Sequence, residues 1–377
     1  MTADIRGKVA IVGVGHSDQG TFPGKTAEQL SIEAIQAALT DAQLTKEQAD
    51  GLITCKSVQG NNIDIQVGPL FGLSPRYAQT LDYGTCNYSL HLAVQAILTG
   101  LAETVVLVYG ANARSGKFNF SAAAPSLESA SGFVHVAGPA ALAYQRHKAL
   151  YGTKEEDFGW FAVSEREWAQ RNPLAIFQDP MTIDDYLAKP YLVEPLRRED
   201  VTMISDGAVA LVVTSAERAA DYPNKPVYVL GIAENTEVAG DTFDDFLMRP
   251  NIKGTAAQIW KNTGFTPSDV DVLYIQNPTA VWNLQMVEAY GFAPEGEGAA
   301  WAAEGHIRPG GDLPLNTNGG QLSESYMWGW LHMVEAVRQL RGTVEPDRQV
   351  PGAELALYCS TMTFLKSAAS IIGVNRD

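Results

Sequence analysis

Leu44-Thr45-Lys46-Glu47-Gln48-Ala49-Asp50-Gly51-Leu52 is echoed, at a constant offset of 221 residues, by Phe265-Thr266-Pro267-Ser268-Asp269-Val270-Asp271-Val272-Leu273. Each copy reads as the end of a helix, a short polar turn opened by threonine, and a strand entered through an aspartate; apolar Ala49 is matched by Val270. Two copies are too few for a solenoid, so the echo predicts a duplicated domain built from two similar α/β halves.

The flanking segments agree. Val9-Ala10-Ile11-Val12-Gly13-Val14-Gly15 is a short β-branched run of the kind buried on both faces of a sheet, and it predicts a first strand. Thr26 with Gln29 three residues on is a capping box, followed by an apolar stripe through Leu30, Ile32, Ile35, Ala38 and Leu39. A second helix from about Tyr88 to Leu101 feeds the apolar strand Val105–Gly110, and such alternation predicts α/β layering. The stretch 112–204 mixes aromatic and charged pieces, among them Trp160-Phe161, Glu165, Trp168 and Arg171, with prolines at 173, 180, 190 and 195. It reads as an inserted cap over a ligand site or, equally, as a structural flap. The expected divisions are 1–111 for the first half, 112–204 for the insertion, 205–222 for the end of the first half, and 223–377 for the second half.

Composition narrows the function. The 377 residues carry 27 Lys and Arg against 43 Asp and Glu, a formal charge of −16, which argues against nucleic acid as a partner. Cys55, Cys86 and Cys359 form no C-x-x-C pair, so neither a disulfide framework nor a metal site is expected. No apolar run is long enough to span a membrane, and the N-terminus lacks a signal-peptide pattern, so a cytoplasmic protein is expected. Gly13 and Gly15 begin a dinucleotide fingerprint, but Asp18 stands where its third glycine belongs. There is no P-loop and no G-x-S-x-G elbow, and His332 with Glu335 reads as a pair of solvated helix neighbours.

Two regions carry chemistry. Cys86, in Asp82-Tyr83-Gly84-Thr85-Cys86-Asn87, opens an apolar helix, where the positive end of the macrodipole favours a thiolate. It is a candidate nucleophile; the bland alternative is a small buried hydrophobe. The run Gly310–Tyr326 contains two glycine pairs beside Asn316, Asn318, Ser323 and Tyr326, and reads as site lining or as a complex surface loop. Cys359 follows the apolar strand Leu355-Ala356-Leu357-Tyr358.

In order and spacing, these pieces resemble the thiolase superfamily, in its sterol-carrier-protein-x-like or lipid-transfer-protein-like branch. The resemblance spans nearly the whole chain. It rests on Val9–Gly15, the turn around Cys86, Glu194-Pro195-Leu196-Arg197 with Ser205-Asp206-Gly207-Ala208, Leu315-Asn316-Thr317-Asn318-Gly319-Gly320, and Gln339-Leu340-Arg341-Gly342. It implies a five-layered αβαβα fold from two similar halves with an inserted loop domain. It also implies Cys86 as nucleophile, Cys359 as acid/base, Tyr326 where the family has a histidine, and Asn277, Gly319, Gly320 and Ser323 as oxyanion contact and substrate lining.

A tyrosine with a pKa near 10 donates to an oxyanion but is a poor base at neutral pH, so two mechanisms stand open. The preferred one is thiolysis of a bulky, aromatic or branched 3-oxoacyl-CoA by CoA through an acyl group on Cys86, because both cysteine positions are filled. The alternative is retro-aldol cleavage of a 3-hydroxyacyl-CoA without a covalent intermediate; a non-catalytic acyl-CoA or lipid-binding protein is a third reading. Coenzyme A enters as substrate, and no cofactor is expected. The resemblance also implies a homodimeric core joined by a small zinc-binding OB-fold subunit of the DUF35 type, as a heterotetramer. The CoA-binding residues are unassigned, with Arg114, Lys117, Arg146, Lys148, Arg197 and Arg249 as cations near loops.

Overall fold

The computed structural model describes residues 5–56, 63–82, 85–118, 130, 136–236, 247–248, 250–362 and 366–376. Eleven strands occur among them: β1 (Val9–His16), β2 (Gly51–Cys55), β3 (Tyr77–Leu81), β4 (Thr104–Asn112), β5 (Tyr191–Val193), β6 (Leu196–Arg197), β7 (Asp206–Ser215), β8 (Val227–Thr236), β9 (Val272–Ile275), β10 (Leu355–Met362) and β11 (Lys366–Gly373). Nine of them run in the order β3-β2-β4-β7-β1-β8-β11-β10-β9, while β5 and β6 form a separate hairpin. The join between β1 and β8 is only two residue pairs wide, Ala10 with Tyr228 and Ile11 with Val227, so the nine strands are two half-sheets in contact at one seam.

Side-chain alternation sorts the core into layers. On β1, Ala10 and Val12 pack outward on Leu30, Ala34 and Ala38 of the helix Ala27–Asp41. Val9 and Ile11 face inward, toward a central cluster holding the helices Cys86–Leu98 and Trp330–Arg341. Beyond the second half-sheet, Leu273, Ile275, Leu357 and Ile371 pack against the helices Pro250–Thr263 and Ala280–Ala289 and against inserted residues such as Phe158 and Phe161. Helix, sheet, helix, sheet and helix follow in turn, which is the five-layered α/β arrangement expected.

The 221-residue echo has a physical cause. The Asp50 carboxylate accepts from the backbone N–H groups of Glu103 and Thr104, where β4 begins. The Asp271 carboxylate accepts from those of Glu354 and Leu355, where β10 begins. In both halves the aspartate ties the entrance of one strand to the entrance of its parallel neighbour, β2 with β4 and β9 with β10. The threonines repeat as well: Thr45 and Thr266 each open a one-turn 3-10 helix closed by a capping box.

Three local expectations change. The cysteine helix begins at Cys86 and ends at Leu98. The sequence also predicts a helix from about Met327 to Leu340; it is broken by positive φ at Trp328 (51°) and Gly329 (74°), which set a 3-10 turn, Met327–Gly329, before the helix Trp330–Arg341. His332 and Glu335 are buried, not solvated, because that helix lies in the middle layer with protein on every side.

Gly13 and Gly15 serve packing instead of a nucleotide. A Cβ on Gly15 would stand 2.3 Å from the Ala38 backbone nitrogen, and one on Gly13 2.4 Å from the Ala38 carbonyl oxygen. The helix Ala27–Asp41 therefore rests directly on the β1 backbone. Gly15→Ala forces the two apart and should lower unfolding free energy by about 1–3 kcal/mol, read from a reduced urea midpoint at unchanged m-value.

Candidate active site

The start of the cysteine helix is fixed by side chains that reach across to the second half-sheet. The Thr85 and Ser360 hydroxyls lie 2.7 Å apart. The Asn87 amide donates to the Tyr358 carbonyl, the Ser360 hydroxyl and the Ala368 carbonyl. Further along, His91 bridges the Glu234 carboxylate at 2.6 Å and the Ser370 hydroxyl at 3.0 Å. These bonds place Cys86 in the central layer with Cys55, Tyr358, Tyr326 and Trp328.

Burial reverses the expectation of an acidic thiol. Cys86 is fully buried, and desolvation, with the Cys55 thiol close by, pushes its pKa well above the ordinary value. A helix terminus contributes up to about 2 kcal/mol, whereas full desolvation shifts a pKa by as much as about 3–5 units, so burial wins.

The structure does not bring the two predicted thiols together. Along β10, Ala356, Tyr358 and Ser360 face the middle layer, while Leu355, Leu357 and Cys359 face the outer one. Cys359 lies there against the Tyr290 hydroxyl, and burial drives its pKa upward. The sheet itself therefore separates it from Cys86. Alternation is strict in a strand, so no side-chain rotation returns Cys359 to the cysteine helix.

Tyr326 lies on the Cys86 side. It is 8% exposed, its ring centroid is 6.4 Å from that of Trp328, and Trp328 is 5.6 Å from Tyr109 of β4. Its backbone is held at both ends: the N–H donates to Ser205 Oγ and the carbonyl accepts from Gln321 Nε2 at 2.9 Å. The following turn packs on Tyr358, whose hydroxyl would be 2.9 Å from a Cβ on Gly329. Cys86, Tyr358 and Tyr326 thus belong to one wall of the middle layer.

The remaining predicted residues form the support beneath Tyr326. Asn277 donates to Glu165 Oε1 at 2.6 Å and accepts from the Gln321 N–H at 3.1 Å. Gly319 and Gly320 are buried, with φ of 101° and 62°, and face the inserted helix Trp160–Ala169. A Cβ would meet Ala169 Cα at 3.0 Å from position 319 and Glu165 Oε2 at 1.9 Å from position 320. Ser323 accepts from Arg166 Nε through its hydroxyl and from the Phe177 N–H through its carbonyl. The run read as site lining or a surface loop is therefore gripped by the insertion.

Sequence reasoning passed over the carboxyls that organise this grip. Glu165 Oε1 accepts from Asn277, Asn283 and Asn316; Glu324 accepts from Asn172 and Asn318. Burial outweighs these amide donors and raises the carboxyl of Glu165 to about 7; burial, with Glu335 nearby, does the same for Glu324. Asp200, buried under the Tyr186 hydroxyl, is likewise pushed up to about 7. His332 is held neutral, with burial lowering it to about 3. The available signal was Glu165 itself, a lone acid between Phe161 and Trp168 on an otherwise apolar face.

Among the cations considered for CoA, Lys148 and Arg197 both pair with Glu155 and serve the insertion. Arg114 and Lys117 are exposed and line a pocket of about 390 Å³ with Ala113, Phe118 and Ile204. Arg146 is exposed, and Arg249 lies outside the described residues. Among the described residues no helix is long and apolar enough to cross a membrane.

A layered fold of this kind, with a cysteine opening the middle-layer helix, defines a thiolase-type protein. Residues 235–374 match the thiolase C-terminal domain-like family. The chain is 34% identical to the 17-hydroxy-3-oxo-4-pregnene-20-carboxyl-CoA lyase of Mycobacterium tuberculosis, over 90% of this chain and 93% of that one. It is 32% identical to the steroid side-chain-cleaving aldolase of Thermomonospora curvata, over 98% and 99%. A solved structure described as the Ltp2-ChsH2(DUF35) aldolase superposes with a TM-score of 0.89 at 31% identity, covering 98% of each chain. The chain belongs to the thiolase superfamily, in its sterol-carrier-protein-x/lipid-transfer-protein-like branch.

Two outcomes follow from the burial of these groups. Iodoacetamide should leave Cys86 unmodified in the native protein near neutral pH and alkylate it once urea unfolds the chain, as peptide mass mapping would show. The raised carboxyls of Glu165, Glu324 and Asp200 keep protons that the unfolded chain releases, so their contribution to stability is greatest at the acid end of the window from about pH 4 to 7 and falls as pH rises through it, while that of the neutral His332 rises. Glu165→Gln, which does not ionise, should raise the urea midpoint near pH 7 relative to that at pH 4 when compared with the same difference in the wild type.

Proposed function

We propose that the protein cleaves a 3-hydroxyacyl-CoA by a retro-aldol reaction, the hydroxyl carbon carrying a bulky, steroid-like ring system. The observation that carries this reading is the placement of Cys359 on the far side of the sheet from Cys86 and Tyr326. Thiolysis through an acyl-cysteine relies on a second acid/base beside the nucleophile, and here the group on the nucleophile's side is a tyrosine. The names of two relatives above 30% identity, a lyase and an aldolase, support the same reading.

In the proposed step the 3-hydroxyl loses its proton and its oxygen becomes the ketone carbonyl. The C2–C3 bond breaks, and its electron pair passes to the thioester as an enolate. A proton then adds at C2, releasing the shortened acyl-CoA. Nothing is consumed but the substrate, and no group becomes attached to the protein. The Tyr326 phenol relays the proton from the 3-hydroxyl to C2, staying neutral at either end of the transfer. The Thr85 side chain is bonded to Ser360 and does not cap its helix, which leaves first-turn N–H groups for the developing enolate oxygen. The cationic pocket of Arg114 and Lys117 is the proposed seat of the CoA phosphates, with CoA entering as part of the acyl-CoA substrate.

The assembly proposed is a homodimeric core with a separate small zinc-binding OB-fold subunit of the DUF35 type, working in the cytoplasm. The structural likeness to an aldolase described with a DUF35 partner supports it.

The test is incubation of the purified assembly with 3-hydroxyacyl-CoA and 3-oxoacyl-CoA esters, with product analysis and intact-mass spectrometry. Expected are ketone and acyl-CoA from the hydroxy ester with no mass adduct. Tyr326→Phe should lose on the order of 10²-fold or more in kcat, while Cys86→Ala continues to turn over. An acyl adduct on Cys86, with an inactive Cys86→Ala variant, would return the assignment to thiolysis.

A further inference from the structure

The insertion reaches Tyr326 through an unbroken line of buried hydrogen bonds. Glu165 Oε1 accepts from Asn277 Nδ2 at 2.6 Å, Asn277 Oδ1 accepts from the Gln321 N–H at 3.1 Å, and Gln321 Nε2 donates to the Tyr326 carbonyl at 2.9 Å. All four residues are buried, and Glu165, Asn277 and Gln321 are 0% exposed. The same carboxylate oxygen gathers Asn283 and Asn316, both at 2.8 Å, and Asn316 in turn holds the Ile275 N–H and carbonyl at the end of β9. Glu165 Oε2 rests on the Gly320 backbone, a position that admits no Cβ.

From this geometry we infer that Glu165 is a positioning residue for Tyr326, supplied by the inserted helix and acting through Asn277 and Gln321. The inference rests on the retro-aldol reading and deepens it by naming what sets the tyrosine in place. One oxygen collects three amide donors from three separate segments, the end of β9, the helix Ala280–Ala289 and the glycine-rich run. Without that acceptor three buried N–H groups are left unpaired at the point where those segments meet. The last of these segments, the glycine-rich run, leads directly into Tyr326. It is fixed on its other flank by Asn172 to Glu324, by Arg166 to Ser323, and by the Ile176 and Phe177 N–H groups to the Glu324 and Ser323 carbonyls. That flank ends at Glu324; beyond it Ser205 holds the Ser325 hydroxyl and the Tyr326 N–H, and the Tyr326 carbonyl accepts from the Gly329 N–H and from Gln321 Nε2, the second of which is the link that leads back to Glu165. Glu165 touches no reacting atom in this scheme.

The variants that separate positioning from mere stability keep length and change only the acceptor. Glu165→Met removes the acceptor, Glu165→Gln retains one, and Gln321→Met cuts the line at its far end. Expected is a loss in kcat on the order of 10²-fold for Glu165→Met and for Gln321→Met with KM unchanged, rescue in Glu165→Gln, and no further loss in the double Met variant. Additive losses in the double variant, equal losses in Glu165→Met and Glu165→Gln, or a change confined to KM would overturn the inference.

Hydrogen exchange gives a readout independent of turnover. Peptides covering Gln321 to Gly329 should exchange faster in Glu165→Met and not in Glu165→Gln, with peptides from β10 unchanged. If the wild-type assembly cleaves no hydroxyacyl-CoA, the retro-aldol reading fails and the exchange comparison alone decides the role of Glu165. Should Glu165→Met not fold, Gln321→Met carries the comparison with wild type.

Discussion

A helix enclosed between two sheets has no water to complete its polar groups, and each one left unpaired costs about 1–3 kcal/mol. That constraint governs the middle layer. Asn87 and His91, on the inner helix Cys86–Leu98, bond to Tyr358, Ser360, Ala368 and Ser370 of the second half-sheet, and His91 also reaches Glu234. On the other inner helix Glu335 binds Thr317 and Arg348, and Gln339 binds Thr317 and the Arg348 carbonyl. Asn87 and His91 thus fasten the first half to the second, and Glu335 and Gln339 tie the second half's own helix to its loops, a polar grid inside an apolar layer. The grid sets where Cys86 begins its helix, and the same lack of water keeps its thiol protonated.

The second half-sheet acts as a partition. Tyr358 and Ser360 contribute to the middle layer and Cys359 to the outer one, because successive side chains of a strand point to opposite faces. The chemistry proposed for the Cys86 side therefore draws on Tyr326 and the backbone at the helix start, with the inserted helix Trp160–Ala169 as its support. Its close seat on Gly319 and Gly320 explains the glycine pair as a packing requirement, with Glu165 and Ala169 occupying the space a Cβ would need.

Much of this was legible in local pattern. The first strand, the capping box at Thr26 and the helix opened by Cys86 follow from periodicity and capping within about a dozen residues. The duplication was legible because Asp50 and Asp271 perform one task twice, and a repeated task leaves a repeated motif. The glycine-rich run was visible as unusual, but its direction was not: the same residues suit a ligand or an approaching helix, and only the helix's arrival distinguishes the two.

What the sequence by itself determined is the type and order of the elements and their pairing into two α/β halves, since these depend on near neighbours along the chain. What only the tertiary structure decided is which layer each face of β10 joins and which carboxyl commands the Tyr326 run. Glu165 lies 112 residues from Asn277 in the chain and 2.6 Å away in the fold. No local period encodes such a meeting, because it is set by how the insertion closes over the second half and by the need to pair every polar group buried there.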